Sequence, residues 1–180
     1  MKSYTRLFSI CLFAAVLLVS NDLFAQERSN DRNRPSPNAA VSQTIGTTVV
    51  DVSYGRPSLK GRTAVSLMPL DKVWRTGANE ATAITFSDDV MFGGQKVSAG
   101  TYALYTIPGA TEWTVILNSK QSWGTQYDES QDVLRVTAGL LEFPVQVESF
   151  TIWFDTLSDT KAHLNLTWGS TWVAVPITTE

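Results

Sequence analysis

Hydrophobic and polar residues alternate along most of the chain after Asn38. A period of two is typical of a β-strand that packs one face against a core and turns the other towards solvent. No long stretch has the apolar spacing of three to four residues that an amphipathic helix requires, so the pattern predicts little helix. Strands are predicted over residues 41–45, 47–54, 81–86, 90–92, 101–107, 112–118, 132–137, 146–155, 162–168 and 172–178.

Turn-forming residues separate these predicted strands at short intervals. Gly46 predicts a hairpin between the first two strands, and the pair Gly93-Gly94 is typical of a two-residue turn. Short strands with regular turns are typical of antiparallel sandwiches. We therefore expect residues 39–180 to form one all-β domain. Its fold should be a single antiparallel β-sandwich of roughly eight to ten strands, with jelly-roll or immunoglobulin-like layering and little helix.

The first 25 residues have the layout of a secretory signal peptide. Lys2 and Arg6 precede a largely apolar run over residues 7–19, and Ala25 is a small residue suited to cleavage. This run is shorter than the roughly 18 residues that a membrane anchor needs. Residues 26–38 are polar and contain proline, which predicts a flexible linker. We therefore expect a soluble protein exported to the periplasm or the medium.

Composition excludes several kinds of chemistry. The only cysteine, Cys11, falls in the expected signal peptide, so the mature chain has no thiol nucleophile. One histidine, His163, is too few for a usual zinc site, and no G-x-S-x-G motif marks a serine nucleophile. A net charge of −3 argues against a nucleic-acid partner. We expect no metal, no cofactor and, after signal cleavage, no transmembrane segment.

Several motifs resemble those of one known family. They are the run over residues 41–48, YGRPSLKGR at 54–62, VWRTGANEAT at 73–82, AGTYALYTIP at 99–108, EWTVILN at 112–118 and the WG…YD segment at 123–128. Together they resemble the DUF2911 family of exported bacterial proteins, whose function is unknown. The resemblance extends from Pro37 to Ile177. It implies a single all-β domain and an exported location, and it supplies no catalytic residues.

The densest group of charged and polar residues lies in the motifs at 54–62 and 73–82. Guanidinium groups bind anions through paired hydrogen bonds, and an indole face can stack on a ligand. The structural alternative is an ion pair of Glu80 with Arg75 or Arg56 that fixes the loop. If the segment is instead a binding site, we expect it to form a pocket for a small molecule, a glycan or an envelope component. Its candidate residues are Arg56, Arg62, Trp74, Arg75, Asn79 and Glu80.

Two weaker candidates lie elsewhere in the chain. Asp128, Glu129 and Asp132 could supply oxygen ligands to Ca²⁺, although their spacing is not that of a regular calcium loop. Exposed tryptophans on a sandwich could stack on sugar rings, and alternation favours Trp153 and Trp172 for this role. A solvated acidic loop and buried core indoles are the competing interpretations.

An enzymatic interpretation remains as the alternative. Glu80 could act as acid or base in a small envelope or secreted hydrolase of glycans, with Asp51, Asp132 or Asp155 as the second carboxylate. The sequence alone does not determine the distance between Glu80 and the second carboxylate. Because the usual nucleophiles and metal ligands are missing, we favour a non-catalytic binding or structural module.

Overall fold

The computed structural model describes Arg28 and residues 33–179. The expected signal peptide, residues 1–25, lies outside the described residues. Neither of the helical elements in this part of the chain has the length and apolar character needed to cross a membrane. The elements are β1 (Asn38–Ile45), β2 (Thr48–Gly55), α1 (Ala64–Leu67), β3 (Thr82–Phe86), β4 (Val90–Phe92), β5 (Gln95–Val97), β6 (Gly100–Pro108), β7 (Glu112–Asn118), a 3₁₀ turn (Glu129–Gln131), β8 (Asp132–Ser158) and β9 (Lys161–Thr178).

The described strands form one antiparallel sheet of nine strands in the order β1-β2-β3-β6-β7-β8-β9-β4-β5. The all-β prediction is therefore confirmed. The long strand β8 joins the two parts of the sheet, because residues 132–139 pair with β7 and residues 140–158 pair with β9. Register shifts between Glu142 and Val147 mark an irregularity where β8 bends. Buried residues of β2, β3, β6 and β7 share one core cluster with those of β4 and β9.

Most predicted strands agree with the structure within a few residues. The hairpin at Gly46 is confirmed, since Ile45 pairs with Thr48 and Gly46 has a φ of 62°. The segments predicted at 132–137 and 146–155 are parts of β8, and those at 162–168 and 172–178 are parts of β9. Gly169, with a φ of 62°, lies within β9 without ending it. Strand β5 has no counterpart among the predicted strands, because Gln95 and Lys96 are polar and exposed and only Val97 is apolar.

An aromatic cluster fills the part of the core beneath the connection between β2 and β3. Trp74 lies in this connection and stacks on Trp168, with ring centroids 5.8 Å apart and planes 11° apart. Trp113 and Phe150 meet Trp74 edge-on, at 6.2 and 5.0 Å. Aromatic pairs of this kind contribute about 0.5–1.5 kcal/mol each beyond the area that they bury. The cluster anchors residues 56–81 to the sheet.

Candidate functional site

Residues 56–81, the connection between β2 and β3, contain all six site residues predicted from sequence. This segment also contains every non-glycine residue with positive φ in the described chain: Lys60 at 50°, Asp71 at 57°, Thr76 at 53° and Asn79 at 65°. Such conformations cost on the order of 1–3 kcal/mol each and persist only where surrounding contacts fix them. Thr76 is the most unusual of the four, because β-branched residues rarely adopt this conformation. The connection is therefore a shaped feature.

Contacts with β6 fix the backbone around Thr76. Trp74 and Thr106 exchange two backbone hydrogen bonds, with N···O distances of 2.7 and 2.9 Å. The side chain of Thr76 is fully buried, and its Oγ1 donates to Oγ1 of Thr106 at 3.2 Å. Thr82 Oγ1 donates to the carbonyl oxygen of Thr76 at 2.6 Å. The backbone on both sides of Arg75 is therefore held, and the direction of its side chain is set.

A cavity of about 540 Å³ opens beside this segment. Its volume lies in the range of small-molecule sites. Much of the lining is apolar, and it includes both stacked indoles of the aromatic cluster. The lining residues are Ser36, Pro57, Arg62, Leu67, Pro69, Val73, Trp74, Arg75, Gly77, Ala78, Gly124, Thr125, Tyr127 and Trp168.

The guanidinium of Arg75 lines this cavity without a hydrogen bond or salt bridge to any residue that the structure describes. Its Nε is buried and unsatisfied. Burial lowers the pKa of Arg75 from its ordinary value, and the neighbouring Tyr105 opposes this effect. The stem of the side chain lies against Gly124, where an added Cβ would overlap Cδ of Arg75. A buried donor without a partner costs about 1–3 kcal/mol.

Glu80 is 4% exposed and is not part of the cavity lining. Its carboxylate accepts hydrogen bonds from Nη1 of Arg34, at 2.7 and 2.9 Å, and from Nη1 of Arg28 at 3.5 Å. The expected partners, Arg75 and Arg56, are therefore wrong, although Glu80 does form a buried ion pair, with Arg34 and Arg28. Both partners come from the segment that the sequence predicted as a linker.

The charge of Glu80 is stabilised in place. Burial alone would raise the pKa of Glu80, but hydrogen bonds from Arg34 and the charges of Arg34 and Arg28 bring it below its usual value. Burial lowers the pKa of Arg28 to about 10, against the opposing effect of Glu80. A glycosidase acid needs a raised pKa in an open cleft. Glu80 has a lowered pKa and is buried away from the cavity, so its surroundings do not favour the role of acid or base in a glycan hydrolase.

The remaining predicted residues divide between the cavity and the scaffold. Arg56 donates to a backbone carbonyl and a threonine hydroxyl of β8. Asn79 donates to the carbonyl oxygen of Ser36 at 3.2 Å. Arg62 bonds two carbonyl oxygens of its own turn and still reaches the cavity. The cavity thus brings together Arg62, Trp74 and Arg75, whereas Arg56, Asn79 and Glu80 contact other parts of the protein.

Part of the cavity wall was missed by sequence reasoning. Gly124, Thr125 and Tyr127 come from the WG…YD segment, which appeared only among the motifs of the family resemblance. The hydroxyl of Tyr127 donates to Oδ2 of Asp132 at 2.7 Å and accepts from Nη2 of Arg135 at 2.9 Å. Burial, together with Asp132, raises the pKa of Tyr127 to about 12. The ring of Tyr127 is therefore held neutral and in place against the cavity.

The carboxylates of Asp128, Glu129 and Asp132, the candidate calcium ligands, form ion pairs with cationic side chains. Arg135 Nη2 lies 2.8 Å from Glu129 and 2.8 Å from Asp132. Lys120 Nζ lies 3.7 Å from Asp128. Among the residues that the structure describes, no three His, Cys, Asp or Glu side chains form a group suited to a metal ion.

Comparison with known proteins assigns the chain to a family. The family described as "Protein of unknown function (DUF2911)" matches residues 36–177. This match covers the sheet and the connection that lines the cavity. No curated protein and no solved structure matches the chain.

Proposed function

Because the chain belongs to the DUF2911 family, whose function is unknown, we propose a function for it from the chemistry of its cavity. The protein is an exported binding module that takes a small anionic molecule, with Arg75 as the anchoring side chain. The observation that carries this proposal is the position of Arg75 in the cavity wall, where no described residue bonds its guanidinium. Partial burial strengthens its interaction with an anion, because fewer water molecules screen the charge.

The lining favours a ligand with an apolar body and one anionic group. Leu67, Pro69, Val73 and Trp168 supply apolar surface around Arg75. A carboxylate or phosphate matches the planar fork of a guanidinium, which can donate two parallel hydrogen bonds. Arg62 already donates hydrogen bonds to two carbonyl oxygens. Its main contribution to ligand binding is therefore its positive charge and not additional hydrogen-bond donors.

The lining also favours binding over catalysis. Within the described residues it contains no carboxylate, imidazole or thiol. The acid-base and nucleophilic groups on which most hydrolytic mechanisms depend are thus not gathered at this cavity.

Export is part of the proposal and rests on the sequence alone. Basic residues, an apolar run and Ala25 follow one another as in secretory signal peptides. Expression of the full chain should give a periplasmic or secreted product that lacks residues 1–25. A product that keeps these residues and stays in the cytoplasm would contradict this component.

Calorimetric titration with benzoate, decanoate and phenyl phosphate tests the binding component. We expect at least one of these anions to bind the wild-type protein, and Arg75→Gln to weaken that binding by roughly tenfold or more. Lys72→Gln is the matched control, since it removes one positive charge from an exposed position outside the cavity lining. Equal binding by wild type and Arg75→Gln, or no binding of any of the anions to folded wild type, would contradict the proposal.

A further inference from the structure

The outer face of β8 and β9 carries an aromatic surface separate from the Arg75 cavity. Trp153 and Trp172 are both half-buried, with ring centroids 6.4 Å apart and planes inclined by 28°. Phe143 packs edge-on against Trp172, at a centroid distance of 5.8 Å. None of the three lines the Arg75 cavity. By contrast, Trp74 and Trp168 belong to the buried core.

The strand alternation and a buried amide hold these indoles in position. Ile152 faces the core, so its neighbour Trp153 points outward. Nε1 of Trp172 donates to Oδ1 of Asn165 at 2.8 Å, and the side chain of Asn165 is fully buried. Nδ2 of Asn165 in turn donates to Oδ1 of Asp155 at 3.2 Å. The ring of Trp172, on which Trp153 and Phe143 pack, is therefore fixed before any partner arrives, which lowers the entropy cost of binding.

Hydrogen-bond acceptors lie beside the rings. Asp155 and His163 are cross-strand partners, and their side chains are 34% and 29% exposed. Nδ1 of His163 lies 3.4 Å from Oδ2 of Asp155. Because a carboxylate only accepts, Nδ1 of His163 is the donor in this contact. A carboxylate and an imidazole, both partly exposed, thus lie at the margin of the aromatic surface.

We propose that this surface, the β8–β9 aromatic platform (Phe143, Trp153, Asp155, His163 and Trp172), binds a neutral glycan chain. Sugar rings have an apolar C–H face that can pack on an indole, and hydroxyl groups at their edges that can donate to Asp155 and form hydrogen bonds with His163. Asp155 places a carboxylate at the edge of the platform, so an anionic polysaccharide or phosphate headgroup would meet repulsion there.

The platform proposal is independent of the Arg75 cavity. The two sites share no residue, and they differ in the charge that they accept. A protein unable to bind small anions could still bind glycans, and the reverse also holds.

The test is a titration of the whole mature protein with cellohexaose, maltohexaose and hexa-N-acetylchitohexaose, followed by tryptophan fluorescence and calorimetry. We expect at least one hexasaccharide to bind. Trp153→Ala and Asp155→Asn should each weaken this binding by roughly tenfold. Trp123→Ala is the matched control, because Trp123 is 45% exposed and lies outside the platform. Arg75→Gln should bind the hexasaccharide as wild type does.

Three results would overturn the proposal. One is wild-type protein that unfolds cooperatively yet binds none of the hexasaccharides. Another is an equal loss of binding in Trp123→Ala. The third is a protein that binds polygalacturonate or phosphatidylcholine–phosphatidylglycerol vesicles but none of the hexasaccharides, and loses that binding in Trp153→Ala. Thermal melting of each variant shows whether it is folded. Asp155→Asn keeps the shape of the side chain, so it still tests the platform if Trp153→Ala fails to fold.

Discussion

Glu80 and Arg34 form an ion pair in which one guanidinium nitrogen, Nη1, lies 2.7 and 2.9 Å from the two carboxylate oxygens. The two side chains are only 5% and 10% exposed. Arg28 adds a second cation to the same carboxylate and also donates to the carbonyl oxygens of Ser53, Glu80 and Ala81. This cluster joins the N-terminal segment to the connection that lines the cavity.

The first prediction concerns the stability that this cluster provides. Glu80→Gln leaves two nearly buried guanidinium groups without their counter-charge, so the free energy of unfolding should fall by about 3 kcal/mol. Urea denaturation at neutral pH measures the change. Glu112→Gln, at an exposed position at the start of β7, should change it by no more than about 0.5 kcal/mol. Equal stability of Glu80→Gln and wild type would show that the cluster contributes nothing.

The second prediction follows from the direction of the pKa shift. Because the pKa of Glu80 is lower in the folded protein than the ordinary value of 4.5, its ionised form stabilises the fold above that pH. This contribution is lost as the pH falls from about 4.5 through the folded pKa. The difference in unfolding free energy between wild type and Glu80→Gln should therefore shrink between pH 6 and pH 3. Urea titrations across this range measure it, and a constant difference would contradict the assignment.

The partners of Glu80 show where sequence reasoning ends. Alternation identifies strands because every second residue of a strand points to the same face of the sheet. In β7, for example, Trp113 and Leu117 both face the core. Arg28 and Arg34 lie 52 and 46 positions before Glu80, in a segment whose composition is that of a linker. No local pattern connects residues so far apart. The density of arginines predicted a polar site, but only tertiary contacts determine which guanidinium lines the cavity and which pairs with Glu80.

The third prediction uses the contact between Gly124 and Arg75. A Cβ at position 124 would overlap Cβ, Cγ and Cδ of Arg75, so Gly124→Ala must displace the arginine stem. We expect a loss of stability of about 1–3 kcal/mol from overpacking, together with weaker anion binding. Thermal melts and the calorimetric titration measure the two effects.

Gly139→Ala is the control for that substitution. A Cβ at position 139 would meet no atom within 4 Å. This variant should melt close to wild type and bind the same anions with unchanged affinity. If both alanine variants behave alike, the packing of Gly124 on Arg75 does not position the guanidinium.

The fourth prediction concerns the buried hydroxyl pair of Thr76 and Thr106, 3.2 Å apart, which holds the strained backbone next to Arg75. Valine has nearly the shape of threonine, so Thr76→Val keeps the steric strain at φ 53° and removes only the hydroxyl. Thr76→Val should lose about 1–3 kcal/mol, because it leaves the buried hydroxyl of Thr106 without its partner. Thr106→Val should lose less, because Oγ1 of Thr76 also lies 3.4 Å from the carbonyl oxygen of Trp74. The double variant should lose less than the sum of the two, since both polar groups are then gone. Urea denaturation of the four proteins gives the coupling energy, and strict additivity would mean that the pair does not act as a unit.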